Sequence, residues 1–313
     1  MKPLKDLLHG NLNQSSGQTG KTKKKPGLAP SNFQQRISEE LRNSLQFSII
    51  NLDKPTGPTS FWTSQKVKHL LKLKKTAHFG TLDPMVTGIL PVALNRACKL
   101  NEVFMHRNKT YVGILRLHEE VSDTKLQEAI KKHLGEITQL PPKRSRVKRA
   151  NRQRTIHTFK ILEREGKDVL FSSEVQAGTY IRKLCHDIGL ELGGAHMLEL
   201  RRTQAGFFDE TKNLVTLYDL EAAVQELEKG NEELIRKILQ PVEPIIKELL
   251  ETAQIAPESK PSLLNGKPLQ EQDLKGKIPE EEIFALFDQE QFIGLYKKSD
   301  QPEIVAKPTF VYN

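Results

Sequence analysis

Residues 109–117, KTYVGILRL, alternate in character along the chain, and this pattern restricts the fold most strongly. In an extended strand, the odd-numbered side chains from Tyr111 to Leu117 share one face and the even-numbered ones share the other. Two more strands are predicted within 155–177, around a turn at 165–168, and another within 196–208. Segments with the spacing of helices lie between these strands, but strands and helices do not alternate strictly. The pattern therefore predicts an α+β fold with a mixed, largely antiparallel sheet.

Some element boundaries depend on single residues. Thr63 or Ser64 is predicted to cap the helix that follows the first strand, and Asp123 the helix that follows KTYVGILRL. Residues 86–94 are compatible with a helix or with an extended segment, because Pro91 would interrupt a helix.

The two ends of the chain differ in composition from the part between them. Residues 1–45 include NLNQSSGQTGKTKKKPGLAPSN, which has few apolar side chains, and they are predicted to form a disordered basic tail. Residues 248–313 contain short apolar runs separated by polar turns, with a hairpin predicted at 284–296, and indicate a small β domain. The main domain is then predicted to span residues 46–247.

The charge balance favours an anionic partner. Lys and Arg number 48 against 39 Asp and Glu, which gives a formal net charge of +9. Charge alone leaves nucleic acid, a membrane surface and plain solubility open. Cys98 and Cys185 stand in apolar surroundings without zinc-site spacing, so they are predicted to be reduced core residues. With neither a membrane-length apolar run nor a recognisable secretory signal, we expect a cytoplasmic protein.

The segment HFGTLDPMVTG, residues 78–88, places the carboxylate of Asp83 between a glycine turn and a proline. As an isolated string it is compatible with an ordinary surface loop. A rigid frame made by Gly80 and Pro84 would also hold a reactive carboxylate still, and such positioning raises reaction rates.

Five segments of the chain, in this order, resemble motifs of the TruB–dyskerin family of RNA pseudouridine synthases, in its archaeal type. They are NLDKPTGPTS, HFGTLDPMVTGILPVAL, KTYVGILRL, AGTYIRKLCHDIG and GAHMLELRRTQAGFF. Together they cover roughly residues 47–210, and five ordered matches make coincidence a poor explanation. The resemblance implies a pseudouridine synthase catalytic domain, followed by a small C-terminal β module similar to a PUA domain.

The resemblance also implies the roles of individual residues. Asp83, Tyr111 and Arg182 would be the catalytic residues, with Arg182 as the ionic partner that keeps Asp83 charged. The implied substrate-binding residues are Lys54, His78 and Leu200. His78 would help to fill the space left by a base that flips out of its stack.

The chemistry of pseudouridine formation explains why these residue types are expected at the site. It breaks the C1′–N1 bond of uridine, rotates the base and joins C1′ to C5, so nothing is added or lost and neither cofactor nor metal is expected. Asp83 could act as a nucleophile or ion-pair partner at C1′, or as the base that takes the 2′ proton.

Two positions depart from the family pattern, which usually has glycine at Ala77 and a small hydroxyl residue at Phe79. Because Phe79 stands next to His78, we expect it to alter the fit of the RNA and not the chemistry.

The run PPKRSRVKRANRQRT, residues 141–155, is the densest cluster of positive charge. Arg146, Lys148 and Arg149 are predicted to contact the RNA backbone, and the alternative is a solvated basic loop. A short basic segment at this place resembles the archaeal and eukaryotic branch of the family.

The favoured function is formation of pseudouridine at uridine-55 in the TΨC arm of tRNA, with tRNA as the partner. The alternative is the guide-dependent catalytic subunit of an H/ACA ribonucleoprotein, which would add a guide RNA and small protein partners. Alternatives of another class are a non-catalytic RNA-binding protein and a basic ribosome-associated protein. A membrane partner is not expected.

Overall fold

The computed structural model describes residues 37–141 and 149–313, which form an α+β structure with two sheets. The helices are α1 Glu39–Ser44, α2 Ser60–Leu70, α3 Asn101–Met105, α4 Asp123–Lys131, α5 Ile181–Leu190, α6 Leu217–Glu228, α7 Glu233–Ile238, α8 Val242–Leu249 and α9 Lys260–Leu264. Short 3₁₀ helices occupy Asn95–Leu100, Pro257–Ser259 and Glu271–Asp273.

The larger sheet has ten strands in the described chain. They are β1 Ser48–Lys54, β2 Thr76–His78, β3 Thr87–Leu94, β4 Lys109–Leu117, β5 Gly135–Gln139, β6 Arg152–Glu165, β7 Asp168–Val175, β8 Ala195–Ala205, β9 Phe208–Asp209 and β10 Gln240–Pro241. Eight of them follow the order β10-β1-β3-β8-β4-β7-β6-β5, while β2 pairs with β3 and β9 with β8. The pairing of β3 with β8 is parallel and the other strand pairings are antiparallel, so the predicted fold class is confirmed.

Strand β4 lies in the middle of this sheet, between β8 and β7. Its odd-numbered side chains are buried and its even-numbered ones are partly or fully exposed, which confirms the predicted alternation. Gly113 is required by packing, because a Cβ atom there would lie 2.7 Å from the carbonyl oxygen of Glu199 on β8.

The smaller sheet contains β11 Thr252–Ile255, β12 Leu274–Lys275, β13 Ile283–Asp288, β14 Gln291–Lys298 and β15 Ala306–Val311, in the order β12-β11-β13-β14-β15. Strands β13 and β14 form the predicted hairpin, in which Asp288 pairs with Gln291. Gln289 in its turn has a φ of 54°.

Three sequence predictions about element boundaries need correction or completion. Helix α2 begins at Ser60 and not beyond Thr63, because Thr59 is the cap and accepts a hydrogen bond from the backbone of Trp62. Helix α4 is likewise capped one residue early, by Ser122. Residues 87–94 form strand β3.

The predicted disordered tail was too long. Within its last residues, α1 is capped by Ser38, and Leu41 and Leu45 are completely buried against the large sheet and its helices. Their burial compensates for the entropy of ordering this short helix. Residues 1–36, which hold the rest of the predicted tail, lie outside the described residues.

Hydrophobic packing connects the two sheets. One core cluster contains Phe47 and Val242 from the region of the large sheet together with Phe287, Phe292 and Leu295 from the small sheet. The sequence boundary predicted at residue 247 therefore falls within a continuous core.

Candidate active site

The loop between β2 and β3, residues 79–86, carries Asp83 and is fastened to the turn that precedes α2. The Ser60 hydroxyl donates to the carbonyl oxygen of Leu82 at 3.1 Å and accepts from its backbone N–H at 2.8 Å. The backbone N–H of Gly57 donates to the carbonyl oxygen of Pro84 at 2.9 Å. These hydrogen bonds fix Leu82 and Pro84, the residues on either side of Asp83, so the backbone at the carboxylate is held in place.

Lys54 lies beneath this loop and is completely buried. Its ammonium group donates to the carbonyl oxygens of Pro55, Pro58 and Pro84 at 2.7, 2.9 and 3.1 Å. Burial lowers the pKa of Lys54, the Arg202 cation lowers it further, and the Asp83 carboxylate acts in the opposite direction. Lys54 was predicted among the substrate-binding residues; its ammonium group is used by three backbone carbonyl oxygens, and its part in binding the substrate stays a prediction.

Asp83 pairs with Arg182 across the gap between the loop and α5. A guanidinium nitrogen of Arg182 lies 3.0 Å from a carboxylate oxygen of Asp83, so the pairing expected from the sequence is present. The two side chains are 53% and 46% exposed, with Arg182 the more exposed, which leaves the carboxylate accessible to a large substrate. A guanidinium forms strong, charge-assisted hydrogen bonds with a carboxylate.

Tyr111 and Leu200 line the floor of the same region. Both are 8% exposed, and they share a hydrophobic cluster with Leu82 and Ile181, the residues that precede Asp83 and Arg182. Four of the six residues predicted for catalysis and substrate binding therefore converge here: Asp83, Tyr111, Arg182 and Leu200.

His78 ends β2 at the edge of the loop, where its Nε2 atom lies 3.3 Å from the Thr81 hydroxyl. Burial and the nearby Arg202 cation lower the pKa of His78, so the neutral imidazole is favoured.

The structure corrects the expectation for Phe79. Its ring is 1% exposed and stacks on Phe104 at a centroid distance of 4.7 Å. The side chain points into the core, so the aromatic residue at this position fills packing space. The sequence does not reveal this stacking, because Phe104 is distant from Phe79 along the chain.

Arg202 was missed by the sequence analysis, although it supports both ends of the loop. Its side chain is 1% exposed and donates to the carbonyl oxygens of Gly80 at 3.0 Å and Ile89 at 2.8 Å. Gly88 lies against its backbone, where a Cβ atom would come within 2.2 Å of the Arg202 oxygen. The adjacent Arg201 points the opposite way and pairs with Asp53.

Lys109 adds a further buried cation beside Arg202. It is 5% exposed and donates to the carbonyl oxygens of Met105, at 2.8 Å, and Arg107. Burial and the cations of Arg202 and Arg107 lower the pKa of Lys109 to about 7. Buried basic side chains thus lie next to the loop that carries Asp83.

The predicted RNA-contacting run lies partly outside the described residues. Arg146 and Lys148 fall within 142–148 and are not among the described residues, whereas Arg149 is exposed. The role of all three stays a prediction.

Among the described residues there is no group of three or more His, Cys, Asp or Glu side chains arranged to hold a metal ion. In the same part of the chain, no helix is long and apolar enough to span a membrane.

Two family models match consecutive parts of the chain. One, described as "TruB family pseudouridylate synthase (N terminal domain)", covers residues 68–181, and the other, described as "tRNA pseudouridylate synthase B C-terminal domain", covers residues 182–247. The matches contain five of the six predicted catalytic and substrate-binding residues; Lys54 precedes them.

Curated relatives are similar over the same region. A protein from Thermococcus onnurineus named "Probable tRNA pseudouridine synthase B" is 51% identical over 207 residues, which are 66% of this chain and 62% of the relative. A protein of the same name from Methanopyrus kandleri is 50% identical, over 62% of this chain and 58% of the relative. The chain thus matches about three fifths of the length of these relatives.

Solved structures resemble a larger share of the chain. A Cbf5-Nop10-Gar1 complex contains a chain with 38% identity and a TM-score of 0.77, covering 87% of this chain and 86% of that one. A structure of an H/ACA RNP bound to a substrate RNA containing 2′-deoxyuridine gives 36% identity and the same TM-score, covering 87% of both chains.

Proposed function

The chain belongs to the TruB family of pseudouridylate synthases, and from this premise we propose that it isomerises uridine to pseudouridine in RNA with Asp83 as the catalytic carboxylate. The observation that carries the proposal is the 3.0 Å pair between Asp83 and Arg182 at an accessible, rigidly held loop. An ionised carboxylate is needed whether it acts at C1′ of the ribose or removes the 2′ proton.

The other side chains of the site have roles that follow from their positions. Tyr111 and Leu200 offer a largely apolar floor on which a uracil ring can lie. His78 stands at the edge of the loop, where it can fill the space left by the flipped base. Because the reaction is an isomerisation, these groups suffice without a cofactor.

The proposed substrate is uridine-55 in the TΨC arm of tRNA. The curated relatives with about 50% identity carry the name of a tRNA enzyme. The target lies in a loop that is already partly unstacked, which lowers the cost of extruding the base. The net charge of +9 favours association with an RNA backbone.

The test is a pseudouridine map of an unmodified tRNA transcript incubated with the purified protein alone, with and without EDTA. We expect conversion of a single uridine in the TΨC arm, and a rate that does not change with EDTA once RNA folding is controlled. A transcript that binds the protein but gains no pseudouridine would support the rival function, a non-catalytic RNA-binding protein.

A second candidate is guide-dependent modification within an H/ACA ribonucleoprotein. One observation favours it: the likeness to the Cbf5 chains covers 87% of this chain, more than residues 46–247 can supply. The C-terminal module therefore takes part in the resemblance. Conversion that appears only after an H/ACA guide RNA and its proteins are added would favour this candidate over the stand-alone tRNA enzyme.

We also propose a cytoplasmic location. Both cysteines, Cys98 and Cys185, are free and buried, which suits a reducing compartment.

A further inference from the structure

Three large apolar side chains are exposed around the loop that carries Asp83. Phe61 and Trp62, in the first turn of α2, are 63% and 51% exposed, and Met85 in the loop itself is 74% exposed. Single exposed apolar residues are ordinary, but a group of them at one place marks an interaction site.

The backbone fixes these side chains relative to the carboxylate. Phe61 directly follows Ser60, which forms two hydrogen bonds with Leu82, and Leu82 directly precedes Asp83. Phe61 and Asp83 are therefore each one residue away from the hydrogen-bonded pair Ser60–Leu82. The first turn of α2 forms an edge of the candidate active site.

We propose that Phe61 and Trp62, with Met85 beside them, form a stacking surface for the unpaired bases next to the target uridine. The proposal rests on the proposed function, because it identifies a part of the substrate of that same site. A base that flips out leaves its neighbours without a stacking partner, and an exposed aromatic face can replace that partner. Such stacking tolerates any base, since every base has a flat π surface.

The surroundings favour RNA over an apolar protein surface. Asp83 follows Leu82, which is bonded to the first residue of this helix, and both Asp83 and its partner Arg182 are about half exposed. A protein covering this place would have to remove water from both charges. The last turn of the same helix carries Lys68, and a cationic side chain suits a phosphate backbone.

Trp62 makes the proposal directly measurable, because the sequence contains one tryptophan. An RNA stem-loop that copies the TΨC arm is added to Asp83→Asn protein, so that binding is followed without conversion. We expect the emission of Trp62 to be quenched, saturating at the same RNA concentration as binding measured by fluorescence anisotropy of a labelled RNA. Binding by anisotropy with unchanged Trp62 emission would overturn the proposal.

The structure also supplies matched variants. Phe61→Ala and Trp62→Ala should each weaken binding of the stem-loop on the order of tenfold, and Trp62→Phe should retain most of the affinity. Tyr218→Ala removes an aromatic ring that is 83% exposed on α6 and should leave affinity unchanged. Unaltered affinity of the Phe61→Ala, Trp62→Ala double variant would assign the rings to another occupant, such as a protein surface.

Failure of this proposal is distinguishable from failure of the proposed function. If wild-type protein forms pseudouridine while the double variant binds and reacts normally, only the stacking surface is wrong. If no RNA gains pseudouridine but the stem-loop still quenches Trp62 emission, the stacking surface is supported and the proposed activity is wrong.

Discussion

At the scale of single residues, buried cations determine where the candidate catalytic carboxylate sits. Lys54, Lys109 and Arg202 lie beneath the loop, and each donates hydrogen bonds to backbone carbonyl oxygens. These bonds compensate for the cost of removing a charge from water. The bonds of Lys54 to Pro84 and of Arg202 to Gly80 also tie the loop to its surroundings.

Replacing Arg202 with methionine should loosen the loop. It leaves the carbonyl oxygens of Gly80 and Ile89 without these donors, so we expect a loss of about 2–4 kcal/mol in the free energy of unfolding. It should also raise the pKa of His78, because the Arg202 cation lowers that pKa in the wild type. Chemical denaturation and an NMR titration of His78 measure the two effects.

Arg201→Met is the matched control for this substitution. Arg201 is partly exposed and pairs with Asp53 and Glu210 at the surface, so a smaller loss of stability and an unchanged pKa of His78 are expected. An equal effect of both variants on the His78 titration would contradict the role given to Arg202.

Lys109 should make stability depend on pH. In the unfolded chain its pKa is the ordinary 10.5, whereas burial lowers it to about 7 in the folded protein. Between these values the unfolded state binds more protons, so this residue makes stability rise with pH. Relative to Lys109→Met, the free energy of unfolding of the wild type should therefore increase from pH 7 to 10.5 and stay constant below 7. A series of urea denaturations tests this, and a constant difference across the range would show that Lys109 keeps an ordinary pKa.

At the scale of residues, the sequence predicted which side chains form a pair within the motifs. It did not predict which side chains point into the core. The pairing of Asp83 with Arg182 was expected from their chemistry. Arg202 was overlooked because arginine is rarely buried, and the motif LRRT does not say which of its two arginines points inward. Phe79 was considered only for its effect on the fit of the RNA, and its packing in the core was not predicted because its partner, Phe104, belongs to a different element.

At the scale of elements, periodicity predicted the strands better than it predicted the ends of helices. The alternation in β4 predicted the buried face correctly because one face of a central strand meets the core. The predicted start of α2 was wrong. Thr63 and Ser64 are residue types that often cap helices, but here they are buried within the helix and Thr59 caps it.

The basic run between β5 and β6 should supply much of the salt-sensitive affinity for RNA. Changing Arg146, Lys148 and Arg149 together to alanine should weaken tRNA binding and flatten the slope of log affinity against log salt. The expected reduction in slope is about 0.9 for each phosphate that these side chains no longer neutralise, because fewer counterions are released. Affinity measured over a range of salt concentrations gives this slope.

The control for that triple variant removes the same charge elsewhere. Lys229, Lys237 and Lys247 pair with glutamates on α6, on α7 and in the turn between β13 and β14. Their change to alanine should leave the salt slope nearly intact. Equal slopes for the two triple variants would identify the run as a solvated face.

At the scale of the whole molecule, the two sheets share a core that sequence patterns could not reveal. Phe47 stacks on Tyr312 at 4.3 Å and on Phe292 at 5.3 Å. Arg96 donates to the carbonyl oxygen of Val311 at 2.9 Å. These contacts join residues that are far apart in the chain, so a prediction from local composition placed a domain boundary there.

The molecule should therefore unfold as one unit. Phe47→Ala removes a ring that is 3% exposed and should cost about 3–5 kcal/mol. Loss of Trp62 emission and loss of hydrogen-exchange protection in β14 should shift together to lower temperature. Phe61→Ala, which removes an exposed ring, should leave the melting temperature unchanged. Protection of β14 that outlasts the Trp62 transition would show that the small sheet folds independently.

The identity of the catalytic carboxylate is the central claim, and Asp83→Asn tests it most directly because the change removes charge but almost no volume. Pseudouridine should be mapped in tRNA after incubation with wild-type protein, Asp83→Asn and the control Asp168→Asn. Asp168 also pairs with an arginine, Arg116, but that pair joins β4 to the start of β7 and does not involve the loop. We predict full conversion by the wild type and by Asp168→Asn, and none by Asp83→Asn at unchanged RNA affinity. Pseudouridine formed by Asp83→Asn above a no-enzyme control would contradict this claim.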